Sequence, residues 1–173
     1  TAIENNTLLD VLNRVKVHKG DLFFIEAGTV HAIGKGTLIA EIQQNSNSTY
    51  RVYDYGRLGK DGKPRELHID KAVEVTVTEP PKYGTKPQGE TQPVSGGTKQ
   101  LLTSCDLFTV YRYDCESRIE LFADENSFHH LLVINGSGSI NGRAFKKGDS
   151  YFVPAGFGKY EMDGKAEILL TKI

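Results

Sequence analysis

Lys19-Gly20-Asp21-Leu22-Phe23-Phe24-Ile25-Glu26-Ala27-Gly28-Thr29-Val30-His31 is echoed 128 positions on by Lys147-Gly148-Asp149-Ser150-Tyr151-Phe152-Val153-Pro154-Ala155-Gly156-Phe157-Gly158-Lys159. Lys, Gly, Asp, Phe, Ala and Gly recur in register. A Gly-Asp turn, an apolar run and an Ala-Gly turn make one structural unit, used twice. The copies diverge at their ends, where His31 in the first is matched by Lys159 in the second.

Upstream of the first copy, Leu8, Leu9, Val11, Leu12 and Val15 recur at helical spacing, so Asn6–Val15 is expected to be a packing helix with Thr7 at its N-cap. Downstream, Leu22–Ile25, Leu38–Ile42 and Tyr50–Tyr55 read as strands, and Ile69–Val75 as a short helix. Glu79–Gly97 holds Pro80, Pro81, Pro87, Pro93, Gly84, Gly89, Gly96 and Gly97 with almost no large aliphatic residue; it reads as a connection without a packed element. Beyond it, Leu107–Tyr113, Ile119–Phe122, His129–Ile134, Ser139–Ile140, Ser150–Val153 and Ala166–Thr171 are strand candidates. Asn135-Gly136, Asn141-Gly142 and Asp163-Gly164 are hairpin-type turn signals among them. Many short strands with such turns point to a small sandwich or barrel.

The 173 residues carry 21 Lys+Arg against 22 Asp+Glu, a net charge of −1. That balance argues against nucleic acid or an anionic membrane as the main partner, since both demand a basic field. No apolar run is long enough to span a bilayer. Cys105 and Cys115 flank one extended segment. At ~3.3 Å per residue they lie far beyond the ~6 Å a disulfide allows, so two reduced thiols in a cytoplasmic protein are expected.

The repeated unit resembles the second motif of cupins, small jelly-roll barrels in which Gly-Asp…Pro-x-Gly-x-x-His places a histidine inside the barrel. Phe24–Ile33 followed by Glu41–Arg57, with Leu67-His68-Ile69-Asp70-Lys71-Ala72, resembles type I phosphomannose isomerase (mannose-6-phosphate isomerase) of the short bacterial branch. The resemblance implies a mainly β fold of cupin-type jelly-roll barrels with one or two short helices. Residues 1–78 would be the C-terminal part of a catalytic, metal-binding barrel, 79–98 a linker, and 99–173 a C-terminal barrel without a metal site. It implies isomerisation of mannose 6-phosphate and fructose 6-phosphate with zinc as cofactor, a phosphorylated hexose as partner, and an N-terminal part of the same enzyme that supplies the remaining zinc ligands. The stretch alone is then expected to be inactive. The rival reading is a non-catalytic cupin module that binds a sugar or a partner.

On the same resemblance, His31 is a zinc ligand and Arg51, twenty residues later, the catalytic arginine. Arginine keeps its charge at any working pH and suits an oxyanion that develops during aldose–ketose isomerisation. Tyr50, Tyr53 and Tyr55 around it are expected to form one wall of a sugar pocket. Without the resemblance, Arg51 reads as a surface strand residue paired with Asp54 or Glu41. Glu41, Gln43, Tyr53, His68 and Lys71 are the substrate-binding candidates. Each has a plain alternative: a polar strand face for Glu41 and Gln43, a helix cap for His68 and Asp70, a solvated helix lysine for Lys71. His129 and His130 are adjacent, so on a strand they face opposite ways and cannot chelate one metal. One of them is expected in the second barrel's cavity, alongside Lys159.

Overall fold

The computed structural model describes residues 2–5 and 7–173. The chain divides into two compact units, the first comprising residues up to Ile39 with Asn45–Gly84, the second Ala40–Gln44 with Thr85–Ile173.

In the first unit the described residues form turns, a single 3-10 turn at Leu8–Asp10 and one helix, α1 (Ile69–Val75). Helix α1 falls where it was expected. The helix expected over Asn6–Val15 is only that 3-10 turn; Asn6 itself lies outside the described residues. Thr7 makes no side-chain cap there, and Val11 and Val15 stay exposed, so no apolar face is buried to hold a longer helix. Leu22–Ile25, Leu38–Ile42 and Tyr50–Tyr55 are not strands. Among the described residues outside the named strands, two single bridges form, Thr29 to Val77 and Leu58 to Pro64. A strand exists through its ladder, and these apolar runs pair with no neighbour among the described residues.

The second unit holds one antiparallel system of eight strands: β1 (Thr91–Val94), β2 (Gly97–Ser104), β3 (Thr109–Cys115), β4 (Ile119–Ala123), β5 (His129–Ile140), β6 (Arg143–Lys146), β7 (Ser150–Val153) and β8 (Gly158–Lys172). The order is β1-β2-β3-β8-β5-β6, with β4 on β8 and β7 on β5. Strands β5 and β8 are long because each serves two sets of neighbours. Gly158–Met162 of β8 pairs with β4, and Ala166–Lys172 with β3. His129–Leu132 of β5 pairs with β7, and Ser137–Ile140 with β6.

The turn signals divide accordingly. Asn141-Gly142 is a two-residue hairpin turn, both residues at positive φ, joining Ile140 to its partner Arg143. Asn135-Gly136 and Asp163-Gly164 are not turns; they bend β5 and β8 without ending them. The β5–β8 register shifts between Val133 and Asn135. At Gly136 φ is +83°, and a Cβ there would lie 2.0 Å from the Lys165 carbonyl oxygen, so the bend needs glycine. The Pro/Gly-rich segment also contributes structure, since Thr91–Val94 is β1. Pro93 is tolerated because β1 is an edge strand, bonded only to β2.

The core is Tyr113, Cys115, Ile119, Ala123, Leu131, Val133, Ile140, Phe145, Val153, Tyr160, Met162, Ala166, Ile168 and Leu170. Leu131, Met162, Ile168 and Val133 are fully buried. Cys105 and Cys115 are free thiols, as their spacing requires.

The repeat is real at the level of backbone. The Asp21 carboxylate accepts the His18 N–H at 2.8 Å, and Asp149 accepts the Lys146 N–H at 2.9 Å. The Thr29 N–H donates to the Glu26 carbonyl at 3.1 Å, and the Phe157 N–H to Pro154 at 3.2 Å. Only the run between the turns differs: Ser150–Val153 is a paired strand and Leu22–Ile25 is not.

Candidate functional site

Arg51 and His68, seventeen residues apart, are clasped through the backbone. The His68 N–H donates to the Arg51 carbonyl at 2.7 Å, and the Arg51 N–H donates to His68 Nδ1 at 3.2 Å. His68 occupies the N-cap position of α1 but makes no side-chain cap; its ring nitrogen is used on Arg51 instead. The Arg51 guanidinium donates to the Glu66 carbonyl at 3.2 Å. The Tyr50 ring lies 6.2 Å from the His68 ring.

Beside this clasp stands a second one. Arg65 forks onto Asp54: Nε donates to Oδ2 at 2.6 Å and Nη2 to Oδ1. Arg65 holds the Asp54 carboxyl below its usual range. Burial opposes this, and the charges of Arg51 and Arg57 reinforce it. The alternative in which Arg51 pairs with Asp54 is not what the structure shows; Arg65 takes the carboxylate, and Arg51 adds only its field. Tyr53 and Tyr55 meet edge to face at 4.9 Å, with the Arg57 guanidinium 5.1 Å from the Tyr55 ring centre. Within Tyr50–His68, Arg51, Arg57, Arg65 and two lysines thus stand against Asp54, Asp61 and Glu66, with a row of phenols beside them; Glu66 lies 3.9 Å from the His68 ring. The net positive charge and aromatic surface suit a phosphorylated polyol.

His31 sits just past the turn made by Gly28. Gly28 has φ +88°, and a Cβ there would lie 2.5 Å from the Val75 carbonyl oxygen. The exposed His31 ring bonds through Nδ1 to the Thr29 carbonyl at 2.9 Å. With Nδ1–H donating, Nε2 presents a lone pair, the tautomer a metal requires. Among the described residues, no hydrogen bond, ion pair or ring contact joins His31 to Arg51 or His68, and no group of three His, Cys, Asp or Glu is placed to hold a metal. This chain's residues fit one ligand position and do not make a zinc site. Lys71 is exposed on α1, and Glu41 and Gln43 are exposed in Ala40–Gln44, which belongs to the second unit. The sequence reading missed Arg57 and Arg65; nothing in their spacing marks which acid or ring they meet.

In the second unit, His129 and His130 do face opposite ways. Buried His129 bonds through Nδ1 to the Tyr160 hydroxyl at 2.8 Å, and His130 bonds through Nε2 to the Ser150 hydroxyl at 2.7 Å. His129 occupies the barrel interior; Lys159 does not accompany it, being exposed on β8.

With this geometry in hand, comparison with known proteins is decisive for the barrel. The profile described as "Mannose-6-phosphate isomerase, cupin domain" matches residues 97–173. Over residues 97–173 the chain is thus similar to that cupin domain. The mannose-6-phosphate isomerase resemblance extends beyond the cupin domain. ManA of Bacillus subtilis, a mannose-6-phosphate isomerase, is 38% identical over 100% of this chain and 55% of its own length. A mannose-6-phosphate isomerase of Streptococcus mutans is 34% identical over 93% of the chain and 51% of its own length. The chain spans about half the length of the curated relatives it matches. The crystal structure of the mannose 6-phosphate isomerase from Bacillus subtilis superposes with a TM-score of 0.66 at 34% identity, over 75% of this chain and 42% of that one. The mainly β, cupin-type fold expected from the repeat is therefore the fold of the C-terminal barrel.

Proposed function

We propose that the chain forms part of a mannose-6-phosphate isomerase that interconverts mannose 6-phosphate and fructose 6-phosphate, with residues 1–78 contributing to its catalytic domain and 99–173 forming its second barrel. The observation that carries the reading is the Arg51–His68 clasp, which fixes a permanent cation among phenols and further arginines. In the forward direction a base takes the proton from C2 of the aldose. The electron pair forms the C1–C2 double bond, and charge collects on oxygen. Protonation of that oxygen, O1, gives the enediol; reprotonation at C1, with loss of the O2 proton, then gives the ketose. Arg51 stabilises that oxygen charge. Tyr53 and His68 orient the sugar, and Lys71, Glu41 and Gln43 are assigned to substrate binding on the same proposal. His31 would supply one imidazole ligand to a zinc ion, which would serve to polarise a sugar oxygen. The two free thiols support a cytoplasmic setting.

The test uses the intact protein that carries this chain. Arg51→Ala should lower kcat by about 100-fold or more with zinc content unchanged, whereas His31→Ala should lower zinc content itself. Normal turnover in Arg51→Ala would refute the assignment. The 173-residue chain alone should show no turnover.

A further inference from the structure

The two runs that make the candidate site, Arg51–Asp54 and Arg65–His68, are latched at both ends. At one end the Arg65 guanidinium forks onto the Asp54 carboxylate. At the other, the Arg51 N–H donates to His68 Nδ1 at 3.2 Å and the His68 N–H to the Arg51 carbonyl at 2.7 Å. The Arg51 guanidinium itself rests on the facing run, donating to the Glu66 carbonyl at 3.2 Å, so a gap opening between the runs moves it. The first latch holds at any working pH. Arginine keeps its proton, and Arg65 is the first cause that holds the Asp54 carboxyl below its usual 3.8. The second latch depends on a proton being absent.

A backbone N–H can only donate, so Nδ1 offers a lone pair and the ring proton sits on Nε2. That tautomer suits its surroundings, because Nε2 lies 3.9 Å from the Glu66 carboxylate. Imidazole is the side chain whose charge ordinarily changes between about pH 5 and 8. Once the ring takes a second proton, Nδ1–H and the Arg51 N–H are two donors aimed at each other, and their bond is lost. Glu66 does not offset the loss: its side chain is mostly exposed, and an exposed ion pair contributes little. The other groups about the ring are Arg51 itself, the Tyr50 ring at 6.2 Å, and Asp70 and Lys71 in the first turn of α1. Among the described residues none of them takes the Arg51 N–H in place of Nδ1. Resting on the reading of Arg51 as the catalytic arginine, we propose that His68 is its positioning residue: the neutral ring fixes the Arg51 backbone, and protonation at Nδ1 opens that latch and lowers turnover. His68 thus acts on the sugar through Arg51. Because the Asp54–Arg65 latch stays shut, the acid loss is partial and reversible.

Steady-state kinetics of the intact protein that carries this chain, with mannose 6-phosphate between about pH 5 and 8, test this. His68→Ala removes the acceptor and should lower kcat about three- to tenfold at neutral pH with KM little changed, because the oxyanion forms only on the way to product. His68→Asn places an amide oxygen where Nδ1 stood and cannot titrate. It should restore most of that kcat and abolish the part of the acid fall that carries the unaltered enzyme down to the His68→Ala level. Titration of the sugar phosphate is common to all three proteins and cancels between them. In NMR of the unaltered protein with isotope-labelled arginine and histidine, the Arg51 amide should shift with the same midpoint as the His68 ring. Full kcat in His68→Ala, an acid fall in His68→Asn equal to that of the unaltered enzyme, or an Arg51 amide that does not follow the His68 ring would each overturn the proposal. Failure of the isomerase reading shows differently, as normal turnover in Arg51→Ala. Should the His68 variants fail to fold, the coupled titration in the unaltered protein decides: an unmoved Arg51 amide overturns the proposal.

Discussion

Acidification should destabilise the C-terminal barrel through His129, and the effect has a bounded size. Burial comes first among the causes that hold this imidazole's pKa below 6.5; Lys172 and Lys99 add to it and Asp124 opposes it. The folded state therefore prefers the neutral ring. At neutral pH the site costs nothing in either state. As pH falls below about 6.5, the unfolded chain takes up a proton that the folded chain refuses, so stability falls. The loss continues until pH reaches the folded-state value and then levels off. One proton sets the limit, about 1.4 kcal/mol per pH unit. Asp124 titrates lower: Asn126 holds its carboxyl below the usual 3.8, outside this window. The assay is urea denaturation between about pH 7.5 and 5 at fixed ionic strength. It is followed by circular dichroism, since the chain has no tryptophan. His129→Gln should lower stability at every pH, because the Tyr160 hydroxyl loses its partner, yet remove part of the slope. The other four histidines are common to both proteins and cancel in the difference. Equal slopes for the two proteins would refute the reasoning.

Two further outcomes follow from the barrel's geometry. Gly136→Ala should cost about 3 kcal/mol or more, combining a left-handed φ with a Cβ 2.0 Å from the Lys165 carbonyl oxygen; a loss under about 1 kcal/mol in thermal or urea denaturation would show that the bend relaxes freely. Cys115, buried and with its thiol pushed up to about 11 by burial and by Asp114, should resist iodoacetamide at mildly alkaline pH while half-buried Cys105 reacts; mass spectrometry showing equal labelling would contradict this.

Much of the barrel was legible in single residues. Ile119–Phe122 and Ser150–Val153 are strands as read, and Asn141-Gly142 is a hairpin turn, because these depend on local alternation and on positive φ. Helix α1 was legible for the same reason. The two other glycine pairs misled: Asn135-Gly136 and Asp163-Gly164 satisfy the same local rule, but each lies where a long strand passes from one set of neighbours to another. The expected strands Leu22–Ile25 and Tyr50–Tyr55 failed for want of pairing, which alternation cannot guarantee. At the candidate site, Arg51 and His68 were named from the sequence, but their mutual clasp was not, nor was the pairing of Asp54 with Arg65.

By itself the sequence determined the repeat and its chemistry. The two Gly-Asp turns fold alike because an aspartate three residues after an N–H accepts from it whatever surrounds them. The tertiary structure alone decided what each copy became. Ser150–Val153 met β5 and turned into a strand of the barrel-like sheet; Leu22–Ile25 met no ladder and did not. It also decided that the His129 ring meets the Tyr160 hydroxyl. They lie on β5 and β8, 31 residues apart in the chain, and only the folding of those strands onto one another brings the two side chains together.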